Sequence, residues 1–440
     1  MRILVSLVML GMFETAGCGG GNPVANEPDR LSLSLSGSTL LVAQGASGSV
    51  PVTLRRVGST GSVVLSVAGL PSGASATFEQ PGTGNSGSIV ISAEAALSGV
   101  YSLTVEATDG VNHAAASLAL TVQLTPRMAG PYRWTSSGPL LSAVADATHP
   151  IVSVKDPSVV YFDNQWHVFA TTANTAGTWS MVYLHFADWG QAAAARPYYM
   201  DATPGYGNHA APEVFYFRPQ HKWYLVSEWG PQYSTTDDIT KPGTWTPPRD
   251  FFASKPAGIG NWLDYWVICD SANCYFFFTD DAGHFYRSHT SIQNFPQGFD
   301  TPVLVMQSTR TYDLFEASNT YRIKGTTQYL TLVEGITPDG RRSFRGFIAD
   351  RLDGDWTPLP EASSWASPFL GAPNVGFDAG VSAWTVDFSH GELIRDGYDE
   401  TLTIDPDNLQ YLYQGLDVNR RSGDYSQLPW QLALARATRN

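Results

Sequence analysis

Three acidic residues stand where strand-like text would ordinarily hold small or apolar side chains: Asp156 in VSVKDPSVVYF, Asp264 in NWLDYWVIC and Glu316 in YDLFEASNTY. A carboxylate among apolar neighbours is costly unless it is paired or functional. Brought together, such groups do acid–base chemistry, and a pair flanking a glycosidic bond is what glycoside cleavage requires. Each also has a structural reading. Asp156 precedes Pro157, a common turn opening, and Asp264 could hold a backbone amide or an arginine. Glu316, between Phe315 and Ala317, needs either the raised pKa of a general acid or a partner.

For these residues to meet, the elements carrying them must converge. The text KDPSVVYFDNQWHVFAT, from Lys155 to Thr171, is echoed by APEVFYFRPQHKWYLVSEW, from Ala211 to Trp229. Alternating apolar residues, a polar turn and a Trp-containing return strand make a hairpin that cannot bury its own face. Further units lie at 264–288, 315–334 and 384–413, and the tags GTWTPPRD (243–250) and GDWTPLPE (354–361) recur as edge-closing segments. Five such units predict a five-bladed β-propeller over residues 132–440, with strand starts facing a central pit. A β-helix would need shorter, more even rungs.

The preceding text has another texture. From Leu31 to Gln123, short Val/Leu/Ser/Thr alternations separated by Gly, Pro and Asn predict about seven strands and an Ig-like β-sandwich over 26–124, with 125–131 as linker. This segment has no Trp, and a spacer or weak adhesion role is expected of it. Residues 1–18 carry a single Arg, an apolar run and small residues before Cys18, the pattern of an export signal. Cys18 is a candidate for lipidation, so secretion into the medium and an outer-surface lipoprotein both remain open. In an exported chain Cys269 and Cys274, flanking the turn DSAN, are expected to form a local disulfide. A net charge of −14, with 40 acidic against 26 basic residues and no basic cluster, speaks against a nucleic-acid partner. Thirteen Trp, 20 Tyr and 21 Phe supply flat rings for a core and for stacking on a neutral polysaccharide. A monomer is expected.

The stretches KDPSVVYF, WHVFATT, KWYLVSEWGPQYSTTDD, YWVICD, CYFFFTDDAGHFYRS, NFPQGF, FEASNTYRI, SHGELIRDG, TIDPDNLQYLYQG and QLPWQL resemble glycoside hydrolase family 62, the α-L-arabinofuranosidases, from about Tyr132 to Ala435. The resemblance implies an inverting enzyme that releases single arabinofuranosyl side groups from arabinoxylan or its oligosaccharides. It assigns Asp156 as general base, Glu316 as general acid and Asp264 as the residue that tunes the acid and orients the sugar. An inverting pair needs about 6.5–9.5 Å between carboxyl groups to admit a water. Lys155 and an arginine of GRRSFRG, taken as Arg345, are expected to hold Asp264 or sugar hydroxyls. Trp229, Tyr413 and His209 are expected at the pocket or its rim, and His284 at a structural Ca²⁺ otherwise held by water. No organic cofactor is implied. Glu228 stands where the family pattern leads one to expect an amide. A β-xylosidase or endo-arabinanase on a related fold, or a non-catalytic carbohydrate-binding propeller, remain the alternatives.

Overall fold

A computed structural model describes residues 31–438. The export signal and Cys18 lie outside the described residues. The chain divides into two compact units between Gln123 and Leu124, and among the described residues no helix is long and apolar enough to cross a membrane.

Among the described residues the first unit has eight strands in two four-stranded sheets. One is ordered Leu31–Leu35, Ser47–Arg56, Ser86–Ser92, Ser75–Glu79; the other is Thr39–Ala43, His113–Gln123, Gly99–Thr108, Val64–Ala68. Alternation along Ser47–Arg56 and Gly99–Thr108 turns one side of each strand inward. Val50, Val52, Leu54, Ile89, Ile91, Leu103, Val105, Leu118 and Leu120 form the shared core.

The second unit is all-β and propeller-like, with five sheets of four or five strands. Their first strands are Ile151–Phe162, Ala210–Phe217, Leu263–Cys269, Glu316–Ile323 and Ser389–Leu393. Each pairs antiparallel with a second strand: Gln165–Asn174, Lys222–Glu228, Asn273–Thr279, Tyr329–Ile336 and Gln410–Gly415. The first strands read as near-continuous buried runs, as strands covered on both faces must. Both recurrent tags bury a tryptophan, Trp245 and Trp356. Each then supplies a two-residue edge strand, Arg249–Asp250 or Thr357–Pro358. The fifth sheet is completed from the other end of the unit: Arg133–Ser136 pairs with Gln431–Thr438 and with Val375–Phe377. Cys269 and Cys274 are register partners in the third sheet and are joined by a disulfide.

Below the strand starts, the first strands are tied by buried charge rather than by apolar contact alone. Glu392 Oε2 accepts from Ser158 Oγ and from the Val159 amide, both at 2.8 Å. Arg395 Nη2 donates to the carbonyls of Val159 and Val214 at 2.9 and 2.8 Å, while its Nε pairs with Glu392 at 2.6 Å. Glu213 Oε2 accepts the Val267 amide at 2.7 Å. These bonds satisfy backbone groups that the irregular strand starts leave outside the sheet ladders.

Candidate active site

The first strand of every sheet is interrupted by a register shift at the same place. The residue before each shift is Lys155, Ala210, Leu263, Glu316 or Ser389, opposite Thr171, Glu228, Thr279, Glu334 or Gln414. A bulge re-aims the side chains around it and frees a backbone amide from the ladder. Four residues just after the break lie in left-handed backbone: Asp156 (φ 49°), Ala211 (φ 45°), Asp264 (φ 53°) and Ala317 (φ 52°). For residues other than glycine this costs about 1–3 kcal/mol each and persists only where the surroundings enforce it.

The enforcement comes from neighbouring sheets. Gln414 Oε1 accepts the Asp156 amide at 2.7 Å, and Thr171 Oγ1 accepts the Ala211 amide at 2.8 Å. Glu228 Oε1 accepts from the Asp264 amide. Glu334 Oε2 accepts the His390 amide at 2.7 Å. Only the third-to-fourth step departs: Asp264 Oδ2, rather than Thr279, accepts the Ala317 amide at 2.6 Å. Asp264 is thereby anchored to the residue beside Glu316.

The strand starts enclose a cavity of about 590 Å³, lined by Lys155, Asp156, Glu228, Asp264, Glu316 and Arg342, with His390, Trp179, Trp229 and Tyr425 among the other walls. His390 Nδ1 lies 3.4 Å from Asp156 Oδ1 and 3.6 Å from Asp264 Oδ1, so one ring nitrogen stands between two carboxylates. Burial pushes the Asp264 carboxyl well above its usual range, and the charges of Glu316 and Asp156 add to the rise. Burial opposes the Lys155 ammonium, but Asp156, 3.5 Å away, outweighs it with help from Glu316 and Asp264, leaving the lysine pKa raised. The same ammonium sits 3.7 Å over the Trp179 ring. Glu316, for which the sequence demanded a partner or a raised pKa, has a partner: Arg342 Nη1 contacts it and also lies 2.7 Å from Glu334.

Several expected residues stand elsewhere. Tyr413 does not line the cavity. It is fully buried, with its hydroxyl 2.7 Å from Ser136 Oγ and its ring against Phe388. Arg345 donates to the carbonyls of Ser363 and Asp313 and is likewise absent from the cavity wall. Arg342, three residues earlier, occupies the site instead, because side chains alternate along a strand and residues three apart face opposite sides. His209 is buried one residue short of the wall, held by Ser227 Oγ and the Gly205 carbonyl at 3.1 Å each. His284 lies outside the cavity, its Nδ1 2.8 Å from Asp280 Oδ2. That pair offers one imidazole and one carboxylate, so a calcium ion there would draw its remaining oxygens from water. Trp229 lines the cavity, 45% exposed and stacked on Trp179 at 5.3 Å. His390, Arg342 and Tyr425 are cavity residues that sequence reasoning missed. For His390 the available signal was its place at the start of a fifth unit, in line with Asp156 and Asp264.

A cluster of carboxylates from three sheets, in an aromatic-walled pit of a propeller-like all-β unit, is the arrangement that a glycoside-cleaving type of site requires. Comparison with known proteins gives the family. The model of glycosyl hydrolase family 62 matches residues 133–435, and the chain belongs to that family. It is 51% identical to the catalytic domain of the Coprinopsis cinerea GH62 α-L-arabinofuranosidase, covering 70% of this chain and 97% of that one, with a TM-score of 0.67. The Podospora anserina α-L-arabinofuranosidase PaAbf62A, solved in complex with cellotriose, is 43% identical over 70% of this chain and 97% of that one (TM-score 0.66). Alpha-L-arabinofuranosidase C of Cellvibrio japonicus is 42% identical over 320 residues, 72% of this chain. The chain spans about half of that protein's length, 49%.

Proposed function

We propose that this protein is an inverting α-L-arabinofuranosidase that releases single arabinofuranosyl side groups from arabinoxylan. The observation that carries the reading is the convergence of Asp156, Asp264 and Glu316, from three different sheets, on one cavity. In this reading the five sheets close into a five-bladed propeller, supported by the hydrogen bond from the Asp156 amide in the first sheet to Gln414 in the last. Asp156 takes a proton from a water on the face opposite the leaving xylose oxygen. Glu316 protonates that oxygen, and the water oxygen bonds to the anomeric carbon as the glycosidic bond breaks, inverting the centre. Asp264, anchored to Ala317, fixes the acid's strand and orients the sugar. Lys155 and Arg342 compensate the charge of the pit. Three of the relatives carry the arabinofuranosidase name, and a further GH62 hydrolase was solved with xylotriose.

The test is proton NMR of wheat arabinoxylan digested by the full chain beside Glu316→Gln and Asp156→Asn. Free β-arabinofuranose as first product, with both folded variants reduced about 10²–10⁴-fold, supports the assignment. α-Arabinofuranose first, xylose or arabino-oligosaccharides, or no sugar at all, overturns it.

The same proposal covers the rest of the chain. The first unit is read as an Ig-like spacer, residues 26–124, joined to the enzyme unit at 132–440 through 125–131. Loss of activity on its removal, with the enzyme unit still folded, refutes the spacer role. Export, with or without lipid at Cys18, precedes action outside the cell, and mass spectrometry of the exported protein distinguishes the two forms. A structural Ca²⁺ beside His284 and Asp280 is tested by metal analysis before and after EDTA treatment.

A further inference from the structure

Of the five residues opposite the strand breaks, four accept a backbone amide from the neighbouring sheet. Their chemistry differs. Thr171 uses a hydroxyl. Gln414 uses an amide, whose oxygen takes the Asp156 N–H while its nitrogen donates to Ser389 Oγ at 3.0 Å. Glu334 is a carboxylate with a guanidinium beside it, Arg342 at 2.7 Å. Glu228 is a carboxyl group, 3% exposed, lining the cavity, and among the described residues it forms no ion pair. An isolated buried carboxylate is among the costliest groups a protein can hold; in its neutral form that cost disappears and an O–H donor is gained.

We propose that Glu228 is a substrate-positioning residue that works as a neutral carboxylic acid, its carbonyl oxygen holding the Asp264 backbone and its O–H donating to a hydroxyl of the sugar in the pit. Gln414 shows, at the equivalent place in the fifth sheet, that this position is built to accept with one atom and donate with the other. Glu228 is that amide's shape with a proton that pH can remove. The proposal rests on the glycosidase reading above.

The groups facing Glu228 agree with a neutral state. Asp264, Tyr265 and Asp281 line the same cavity from the third sheet and one of its turns, Asp156 and Lys155 from the first sheet, Glu316 and Arg342 from the fourth, His390 from the fifth, and Lys255 and Tyr425 from loops. Burial pushes the Glu228 carboxyl well above its usual range and the charges of Asp264 and Asp156 push the same way, against the Asp264 amide it holds and His390. Lys155 is engaged with Asp156 and the Trp179 ring, and Lys255 donates to the Gly260 carbonyl.

The consequence is a pH-dependent KM. Deprotonation of Glu228 removes the donor and puts a second negative charge beside Asp264. Sugar binding then weakens. Wild type and Glu228→Gln should be compared on an arabinoxylo-oligosaccharide across about pH 5 to 9. The wild-type KM should rise about tenfold or more toward the alkaline end, the scale of losing one buried donor. In Glu228→Gln the KM should stay flat. Identical KM profiles in the two proteins overturn the proposal, as does failure of Glu228→Gln to fold, since an amide is the neutral acid's nearest isostere. If the chain releases no arabinose, the activity reading fails separately. Infrared difference spectra of wild type minus Glu228→Gln still decide: a protonated-carboxyl C=O band at neutral pH supports the neutral acid, and its absence refutes it.

Discussion

Replacing Gln414 by Leu removes the acceptor that holds the Asp156 amide at 2.7 Å and leaves that N–H in a residue only 5% exposed. A buried donor stranded in this way costs about 1–3 kcal/mol. The Asp156 backbone is already in left-handed geometry at φ 49°, so with its tether gone it has reason to relax. A carboxylate displaced by about 1 Å from its working position costs roughly 10²-fold in rate. Thr171→Val is the matched control. It strands the Ala211 amide in the equivalent place of the next sheet, and Ala211 carries no carboxylate. Both variants should therefore melt lower by roughly 1.5–5 °C, since an unfolding entropy of about 2.1 cal/mol/K per residue makes about 1 kcal/mol worth roughly 1.5 °C in a unit of this size. Only Gln414→Leu should lose about two orders of magnitude in kcat. Scanning calorimetry and initial rates on arabinoxylan at saturating substrate measure the two effects. Equal losses of kcat in both variants would mean that the bridges stabilise the unit without placing Asp156, and the positioning argument would be wrong.

Other expectations follow from the buried charges and the disulfide. Glu334 is raised to about 7 by burial, and Glu228, Asp264, Glu213 and Glu392 are also raised. A carboxyl whose folded pKa exceeds its unfolded value of about 4.3 favours folding in its protonated form, so this contribution is present in mild acid and is lost as pH rises from there through about 7. The melting temperature of the second unit should fall over that window, and a rising curve contradicts the assignment. Arg395→Met removes the only ion-pair partner of Glu392 among the described residues and should destabilise by about 3–5 kcal/mol in chemical denaturation; a loss under about 1 kcal/mol would show that the network does not tie the strands. Cys269→Ser with Cys274→Ser opens a loop of sequence separation five and should cost about 2 kcal/mol in the chain-entropy picture without altering kcat, as a calorimetric and kinetic pair would show.

The convergence of Asp156, Asp264 and Glu316 was legible because it follows from a repeat: acidic residues at the starts of like units must face like directions. The recurrent tags were legible for the same reason, and each supplies an edge strand behind a buried tryptophan. What the sequence concealed was parity. Arg342 and Arg345 sit in one strand and look equivalent in text, but the register that pairs Ile336 with Arg342 and Val333 with Arg345 sends them to opposite sides. Tyr413 and Tyr425 were also alike in text: one is fully buried within a second strand, Gln410–Gly415, and the other lines the cavity from the short turn Tyr425–Gln427. The fifth sheet's use of Arg133–Ser136 was also hidden, because a four-residue strand far from its partners in sequence carries no local periodicity.

The break in each first strand explains why chemistry sits where it does. A regular strand would hide its side chains between sheets and satisfy its amides in the ladder. The bulge instead turns one residue per sheet toward the pit and leaves an amide that a neighbouring side chain must accept. Each working carboxylate is therefore held through a side chain of a neighbouring sheet: Asp156 by Gln414, Asp264 by Glu228, and the strand of Glu316 by Asp264 itself. That last substitution is the one departure from the five-sheet pattern, with Thr279 giving up its place to Asp264. It makes Asp264 both a cavity group and a tether. Asp264→Asn keeps the acceptor for the Ala317 amide while removing the charge, whereas Asp264→Ala loses both. If the tether matters, Asn should melt close to wild type and Ala about 1–3 kcal/mol lower; if only the charge matters, both should fall equally in kcat and neither in stability.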